Sequence, residues 1–444
     1  MIQGGKKMKK LLAMILTLSF LFSLSSCNVD YKGFTVAAAG VKLDVTYKDS
    51  VEEGYTAFLE KLDAFAAKLT HEVYTDSEKQ TNLCISPVSV YMALALAVEC
   101  TDGNSRDEIL DAVGVSYEEV KRFTGVLYAF SNRTRGDTGV FGNEQIMMLE
   151  ELSNALFADK SVSLKDAGVK SLANNYNCDL FHVDFGSSEG EKVVAAYIED
   201  KTHGLIEGGV ELSPETLITL INTFYLKEVW DNQGDKLNLT KEKYLFKNAD
   251  GSTQNTRLLE GYYFNGKAYE GDGYTSFFTR TANGFTVKFL LPRDGHTLDE
   301  VFTEENIYRI NNVTDYGYKD DENKLLHHTR VFFPKYEASY DGDLADILRN
   351  DFGITSAFDE TRSDFSGITE EVIVLDGVLH RCELKVDEIG IEGAAVTVVA
   401  GDGAGAPPKY TKVYHDYIVD RAFGFVITDG YGGVVFSGAV NRVG

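Results

Sequence analysis

The chain is poor in proline, tryptophan and positive charge. It holds 6 Pro and 1 Trp among 444 residues, and shows no low-complexity run and no internal repeat. A linker-joined array or a solenoid is therefore excluded in favour of one continuous domain. Lys and Arg number 43 against 68 Asp and Glu, for a net charge of −25. Binding a nucleic acid or a heparin-like polyanion needs clustered Lys and Arg, so that class is excluded too. The acidity reads instead as solubility in an exposed setting. Cysteine is scarce, with 5 residues, no C-x-x-C and no Cys/His cluster, so no zinc or other metal site is expected. Nothing points to a cofactor. The longest apolar run, residues 11–24, is too short to span a bilayer comfortably.

What is present is material for a large core: 44% of residues are hydrophobic and 12% aromatic. The N-terminus reads as a targeting segment rather than as fold. Lys6, Lys7, Lys9 and Lys10 precede the apolar run, which ends in Leu24-Ser25-Ser26-Cys27. Small residues closing on a cysteine resemble the bacterial lipobox, whose cysteine is lipidated and becomes the first mature residue. The expectation is a signal peptide over 1–26, a lipidated Cys27, a tether over 27–50 and a domain over 51–444. Plain secretion is the alternative. Cys84, Cys100, Cys178 and Cys382 read as buried free thiols. Cys84 and Cys100 fall near the two ends of one helix, ~24 Å apart, beyond the reach of a disulfide.

Along the domain, residues 51–75 carry Tyr55, Phe58, Leu59, Leu62, Phe65, Ala66 and Leu69 on one helical face. Ser86-Pro87 opens a second helix, apolar nearly all round and therefore buried. Residues 103–109 read as turn and cap. Residues 154–157 read as a strand and residues 190–206 as an amphipathic helix. Residues 217–230 form the strongest strand pattern, ending on the single Trp230. Residues 285–292 and 331–334 are further strands, and 344–348 a short helix.

The stretch from Glu388 to Pro408 fits two states. Every second residue from Ile391 (Ile391, Gly393, Ala395, Thr397, Val399, Gly401, Gly403) is uncharged and most are small, while the other set holds Glu392 and Asp402. As a strand, one face could enter a core and the other stay wet. Yet the second half is rich in Gly and Ala and closes on Pro407-Pro408, which reads as an exposed loop.

This stretch resembles the hinge and reactive loop of serpins, as in the family's E-x-G-T-E-A-A-A-A-T. Other segments resemble serpin motifs in the same order. Asn82 through Ser89 resembles N-x-x-x-S-P-x-S, and residues 221–230 resemble V-N-A-I-Y-F-K-G-x-W. Val331 through Tyr336 resembles L-P-K-F, Asp364-Phe365-Ser366-Gly367-Ile368 resembles A-D-F-S-G-I, and Phe436 through Asn441 resembles the closing F-x-G-R-V-x-N-P. Ala422 stands where the family has Pro. The likeness spans about residues 55–444. It implies an α+β fold of three β-sheets, eight to nine helices and an exposed loop.

The resemblance also implies a function. A serine protease cleaves the loop, the segment before the cut inserts into the central sheet, and the protease stays trapped as an acyl-enzyme. The hinge would be Glu388, Gly390, Ile391, Glu392, Gly393, Ala394, Ala395, Val396 and Thr397. Ser86, Ser89, Asn222 and His380 would form the shutter where the sheet parts, and Trp230 would mark the breach where the loop enters. The family's spacing places the scissile bond at Ala404-Gly405, with Val399-Ala400 and Ala400-Gly401 as alternatives. Small side chains there suit elastase- or subtilisin-like proteases, and a cysteine protease remains open. The expected protein is a monomer at a bacterial cell surface. The alternative is a non-inhibitory surface or binding protein of the same fold. Catalysis is not expected: Gly186 through Gly190 matches G-x-S-x-G, but its flanks are polar where a nucleophile elbow needs an apolar helix. His327-His328 lacks a third ligand at helical spacing.

Overall fold

A computed structural model describes residues 30–39, 54–132, 138–141, 144–208, 212–231, 236–261, 264–313, 317, 319–320, 323–391 and 411–443. Among them are nine α-helices: α1 (Tyr55–Asp76), α2 (Pro87–Cys100), α3 (Gly103–Val113), α4 (Tyr117–Phe130), α5 (Asp166–Asn175), α6 (Ser188–Lys201), α7 (Leu298–Val301), α8 (Glu304–Asn312) and α9 (Ala345–Asn350). The strands that build the main sheets are β1 (Thr35–Ala37), β2 (Leu83–Ile85), β3 (Leu149–Asp159), β4 (Cys178–Val183), β5 (Ile218–Val229), β6 (Tyr274–Arg280) and β7 (Thr286–Pro292). They continue with β8 (Leu325–Pro334), β9 (Tyr336–Asp343), β10 (Leu379–Val386), β11 (Gly390–Ile391), β12 (Thr411–Ile418), β13 (Phe423–Thr428) and β14 (Val434–Val440).

The first sheet runs β1-β4-β3-β5-β11-β10-β9, and the second runs β2-β14-β13-β7-β6 with Tyr269–Glu270 at its edge. One register pair, Ser339↔Leu83, joins them, so they behave as two sheets rather than one. The third is centred on β8, with β12 parallel to it and three short strands antiparallel. The fold is therefore α+β with three sheets, as the sequence implied.

The helix α2 lies between the first two sheets, and the composition of the segment explains why. Thirteen of its fourteen residues are buried, which suits a position with protein on every side. Pro87 sits at its first turn, where the missing N–H costs nothing. On the opposite face of the first sheet, α6 covers a second apolar cluster built on Phe157, Phe181, Val193, Tyr197 and Ile221.

Two expectations are revised, and a third stretch has structure in part. Residues 103–109 are not a turn but the start of α3, because the Asp102 side chain accepts the Gly103 N–H and caps a helix there. The helix expected to reach residue 206 ends at Lys201. Thr202 closes it and Gly204 takes φ +79°, a left-handed turn that glycine adopts freely. Within the stretch 27–50, which the sequence reads as a tether, residues 30–39 are described and have structure. There β1 pairs antiparallel with β4, and Tyr31 sets its ring edge on Phe181 and Tyr197 and donates to Asp200 Oδ2 at 2.6 Å.

Candidate functional site

The strands β5 and β10 run parallel to each other, and between them sits β11, antiparallel to both. It is two residues long: Gly390 pairs with Val229, and Ile391 pairs with Glu228 on one side and Val386 on the other. A tight turn delivers it. The Asp387 N–H donates to Gly390 O at 3.1 Å, while Asp387 Oδ1 accepts the Ile389 N–H at 2.8 Å and the Gly390 N–H at 3.3 Å. An aspartate that folds its own turn in this way fixes the direction in which the chain leaves β10. At Gly390 only glycine fits, since a Cβ would lie 1.8 Å from Glu228 O. Ile391 follows fully buried in the main core.

Trp230 pins the turn from the side. Its indole Nε1–H donates to Asp387 O at 2.8 Å, its backbone N–H donates to Ile389 O at 3.1 Å, and its ring meets Phe333 edge-on at 5.3 Å. The sequence expected Trp230 where the loop enters the sheet; in the structure it bonds Asp387 and Ile389, two of the three residues that lead into β11. Glu388 is held from the outside by Lys335 Nζ at 3.0 Å, and its carbonyl accepts the Leu237 N–H at 2.7 Å. Burial raises the Glu388 carboxyl, but its backbone hydrogen bond and Lys335 outweigh that and leave it below the usual carboxylate range.

Deeper along the slot lie Ser86, Ser89, Asn222 and His380. They form two pairs. The Ser86 N–H, an unsatisfied donor at the start of α2, donates to His380 Nε2 at 3.1 Å. One turn on, Ser89 Oγ donates to Asn222 Oδ1 and reaches Asn222 O at 3.4 Å. His380 belongs to β10 and Asn222 to β5. The first turn of α2 thus holds both strands that border the slot. The Ser86 side chain takes no part, and its Oγ is buried without a hydrogen-bond partner among the described residues.

Sequence reasoning missed Asn154. It sits opposite Asn222 across the β3–β5 ladder and accepts the Asn222 Nδ2 N–H at 2.5 Å, while its own Nδ2 donates to Tyr176 O at 2.7 Å. The signal was an amide directly before the apolar run Ala155-Leu156-Phe157-Ala158, and its partner was set by register alone.

His380 is fully buried, and burial lowers its pKa to about 4, so it is neutral with its proton on Nδ1 while Nε2 accepts. The unfolded chain holds the same imidazole near its ordinary value of about 6.5. Between those values the unfolded state binds the extra proton. The contribution is therefore fully present above about pH 6.5 and is lost as pH falls toward 4. We expect His380 alone to remove about 3 kcal/mol of stability over that range. Denaturant melts at neutral and acidic pH should show a slope that His380→Gln flattens. Equal slopes in both proteins would refute it.

Several expected residues lie outside the described ones: Cys27, Glu392, Gly393, Ala394, Ala395, Val396, Thr397, Val399, Ala400, Gly401, Ala404 and Gly405. The G-x-S-x-G run is the N-terminus of α6. Ser187 caps it, and Ser188 is exposed with Lys192 Nζ 3.4 Å from its Oγ. Among the described residues no group of three or more His, Cys, Asp or Glu could hold a metal. His327 does meet His415 across β8 and β12, with Nδ1 and Nε2 2.9 Å apart, a cross-strand contact that sequence spacing does not reveal.

A family model described as "Serpin (serine protease inhibitor)" matches residues 60–443. A serine proteinase inhibitor of Cavia porcellus is 27% identical over 368 residues, 81% of this chain and 85% of that protein. Alpha-1-antiproteinase S of the same species is 26% identical over 356 residues, 79% of this chain and 83% of its own length. Among solved structures, the thermophilic serpin tengpin in its native state superposes with a TM-score of 0.68 at 20% identity, covering 93% of this chain and 98% of tengpin. A thyroxine-binding globulin in complex with thyroxine gives 0.67 at 21% identity, over 87% and 99%.

Proposed function

The chain belongs to the serpin family, and on that premise we propose that it inhibits serine proteases as an irreversible suicide substrate. The observation that carries this reading is β11. Two hinge residues already lie between β5 and β10 with Ile391 fully buried, so the slot accepts a strand in the direction the loop would follow. A strand there makes antiparallel ladders on both sides, the geometry with the better-aligned hydrogen bonds. The uncharged set Gly393, Ala395 and Thr397 would continue that face inward, where a charge would stall it.

In this reading Ser86, Ser89, Asn222 and His380 are the shutter. Because α2 grips both bordering strands, opening the slot breaks the Ser89–Asn222 or the Ser86–His380 contact. Trp230 and the Asp387 turn form the breach. The chain is a bait and a trap, not a catalyst, and it needs no cofactor. The scissile bond is Ala404-Gly405, with Val399-Ala400 and Ala400-Gly401 as neighbours, and the small residues there suit elastase- or subtilisin-like proteases. The protein is carried outside a bacterial cell on a lipid at Cys27.

The test is a denaturing gel after incubation with a panel of proteases. We expect an SDS-stable complex with an elastase and a released fragment that begins near Gly405. A stable complex with trypsin alone would overturn the specificity. Cleavage by every protease with no complex at all would favour the non-inhibitory reading.

A further inference from the structure

Cys84 and Cys382 lie 298 residues apart in the chain, yet their sulfurs are 3.3 Å apart in the core. Both are buried free thiols. The contact is set by register rather than by chance rotamers. Cys84 is in β2, two residues before Ser86, and Cys382 is in β10, two residues after His380. The Ser86–His380 hydrogen bond and the Cys84–Cys382 contact are therefore successive side-chain contacts between two segments that run antiparallel, although β9 and not β10 is the strand hydrogen-bonded to β2. That direction agrees with the sheets: β2 is parallel to β9, and β9 is antiparallel to β10. The fold thus presents two thiols to each other at a fixed point, needing about 1 Å of further approach to bond.

We propose that Cys84 and Cys382 form a disulfide that ties the second sheet to the rim of the slot. The oxidant is a small disulfide such as oxidised glutathione. One thiol, as thiolate, attacks it, forming a mixed disulfide and releasing one glutathione thiol. The second protein sulfur then attacks the first, forms the Cys84–Cys382 bond and releases a second glutathione thiol. Two thiol hydrogens leave the protein, and one glutathione disulfide becomes two thiols. Cys382 is the less deeply covered of the two, 5% exposed against 0% for Cys84, so it is the sulfur the oxidant meets first. Burial, together with Cys382 beside it, pushes the Cys84 thiol well above its ordinary range, so Cys84 acts second, once the mixed disulfide is in contact with it.

The bond would fasten β10 on the side away from β5. Parting of the slot would then move β5 and leave β10 in place. The cross-link itself does not depend on the inhibitory reading, since it follows from the contact alone.

The experiment treats the folded full chain, and separately the refolding chain, with oxidised glutathione, followed by non-reducing peptide mapping. We expect one cross-linked peptide pair containing Cys84 and Cys382, absent in Cys84→Ser and in Cys382→Ser and removed by dithiothreitol. The oxidised protein should melt roughly 5 °C or more above the reduced one. Free Cys84 and Cys382 after both treatments, or a cross-link joining either to Cys100 or Cys178 instead, would overturn the proposal.

Discussion

Cleavage within the loop is expected to raise the melting temperature of this protein by roughly 12 °C. The reason is the strand that the cut sets free. In the intact chain only Gly390 and Ile391 lie between β5 and β10 among the described residues. Once the loop is severed, the segment behind Ile391 is no longer held at its far end and can continue along both edges. Roughly ten backbone hydrogen bonds at about 1 kcal/mol each would form, and the inward side chains would add burial at about 25 cal/mol per Å². A release of about 10 kcal/mol corresponds to the stated rise for a domain of this size. Differential scanning calorimetry of the intact and the elastase-nicked protein measures it directly. A nicked protein that melts no hotter would end the insertion mechanism, because the freed segment would then have found no better place than solvent.

Much of this was legible in the sequence, and what was not has a physical cause. The Ser86-Pro87 start and the all-round apolar run gave α2 and its burial, because helix periodicity and a proline at the first turn are local signals. The expectation for Trp230 came from resemblance, whereas the Asp387–Gly390 turn beside it was not read from the sequence and appears only in the structure, as an indole N–H to a carbonyl and an aspartate folded onto its own backbone. Long-range register was invisible. Asn154 meets Asn222, His327 meets His415 and Cys84 meets Cys382 only because strands far apart in sequence align in one particular way. The docking of Tyr31 on Phe181 and Tyr197 belongs to the same class, since a segment as short as the one around Tyr31 and Phe34 carries no periodic pattern. Helix ends failed for a different reason. Leu205 and Ile206 extend an apolar pattern past the left-handed Gly204, and periodicity does not register a change of backbone direction.

Substituting Ile391 by arginine is expected to turn the inhibitor into a substrate. Ile391 is the first inward-facing side chain after the Asp387 turn, and it is fully buried between β5 and β10. An arginine there would place a charge in the apolar core, at a cost of several kcal/mol. The cheapest relief is to withdraw β11 from the slot. The turn itself would survive, because it is held by Asp387 Oδ1 and Trp230 and not by the Ile391 side chain. The loop would still meet the protease and be cut, but insertion would start from an expelled hinge. Slowing that step by about 3 kcal/mol shifts the race between insertion and deacylation by roughly 100-fold toward deacylation. The measurement is the ratio of SDS-stable complex to cleaved, uncomplexed chain, with Ile391→Val as the control that keeps an apolar side chain. Arginine should abolish complex while cleavage remains as fast as in the parent, and valine should preserve both. Undiminished complex from Ile391→Arg would mean that the strand entering the sheet does not begin at this residue, and that β11 is a fixed part of the sheet and not the leading end of the inserting ribbon.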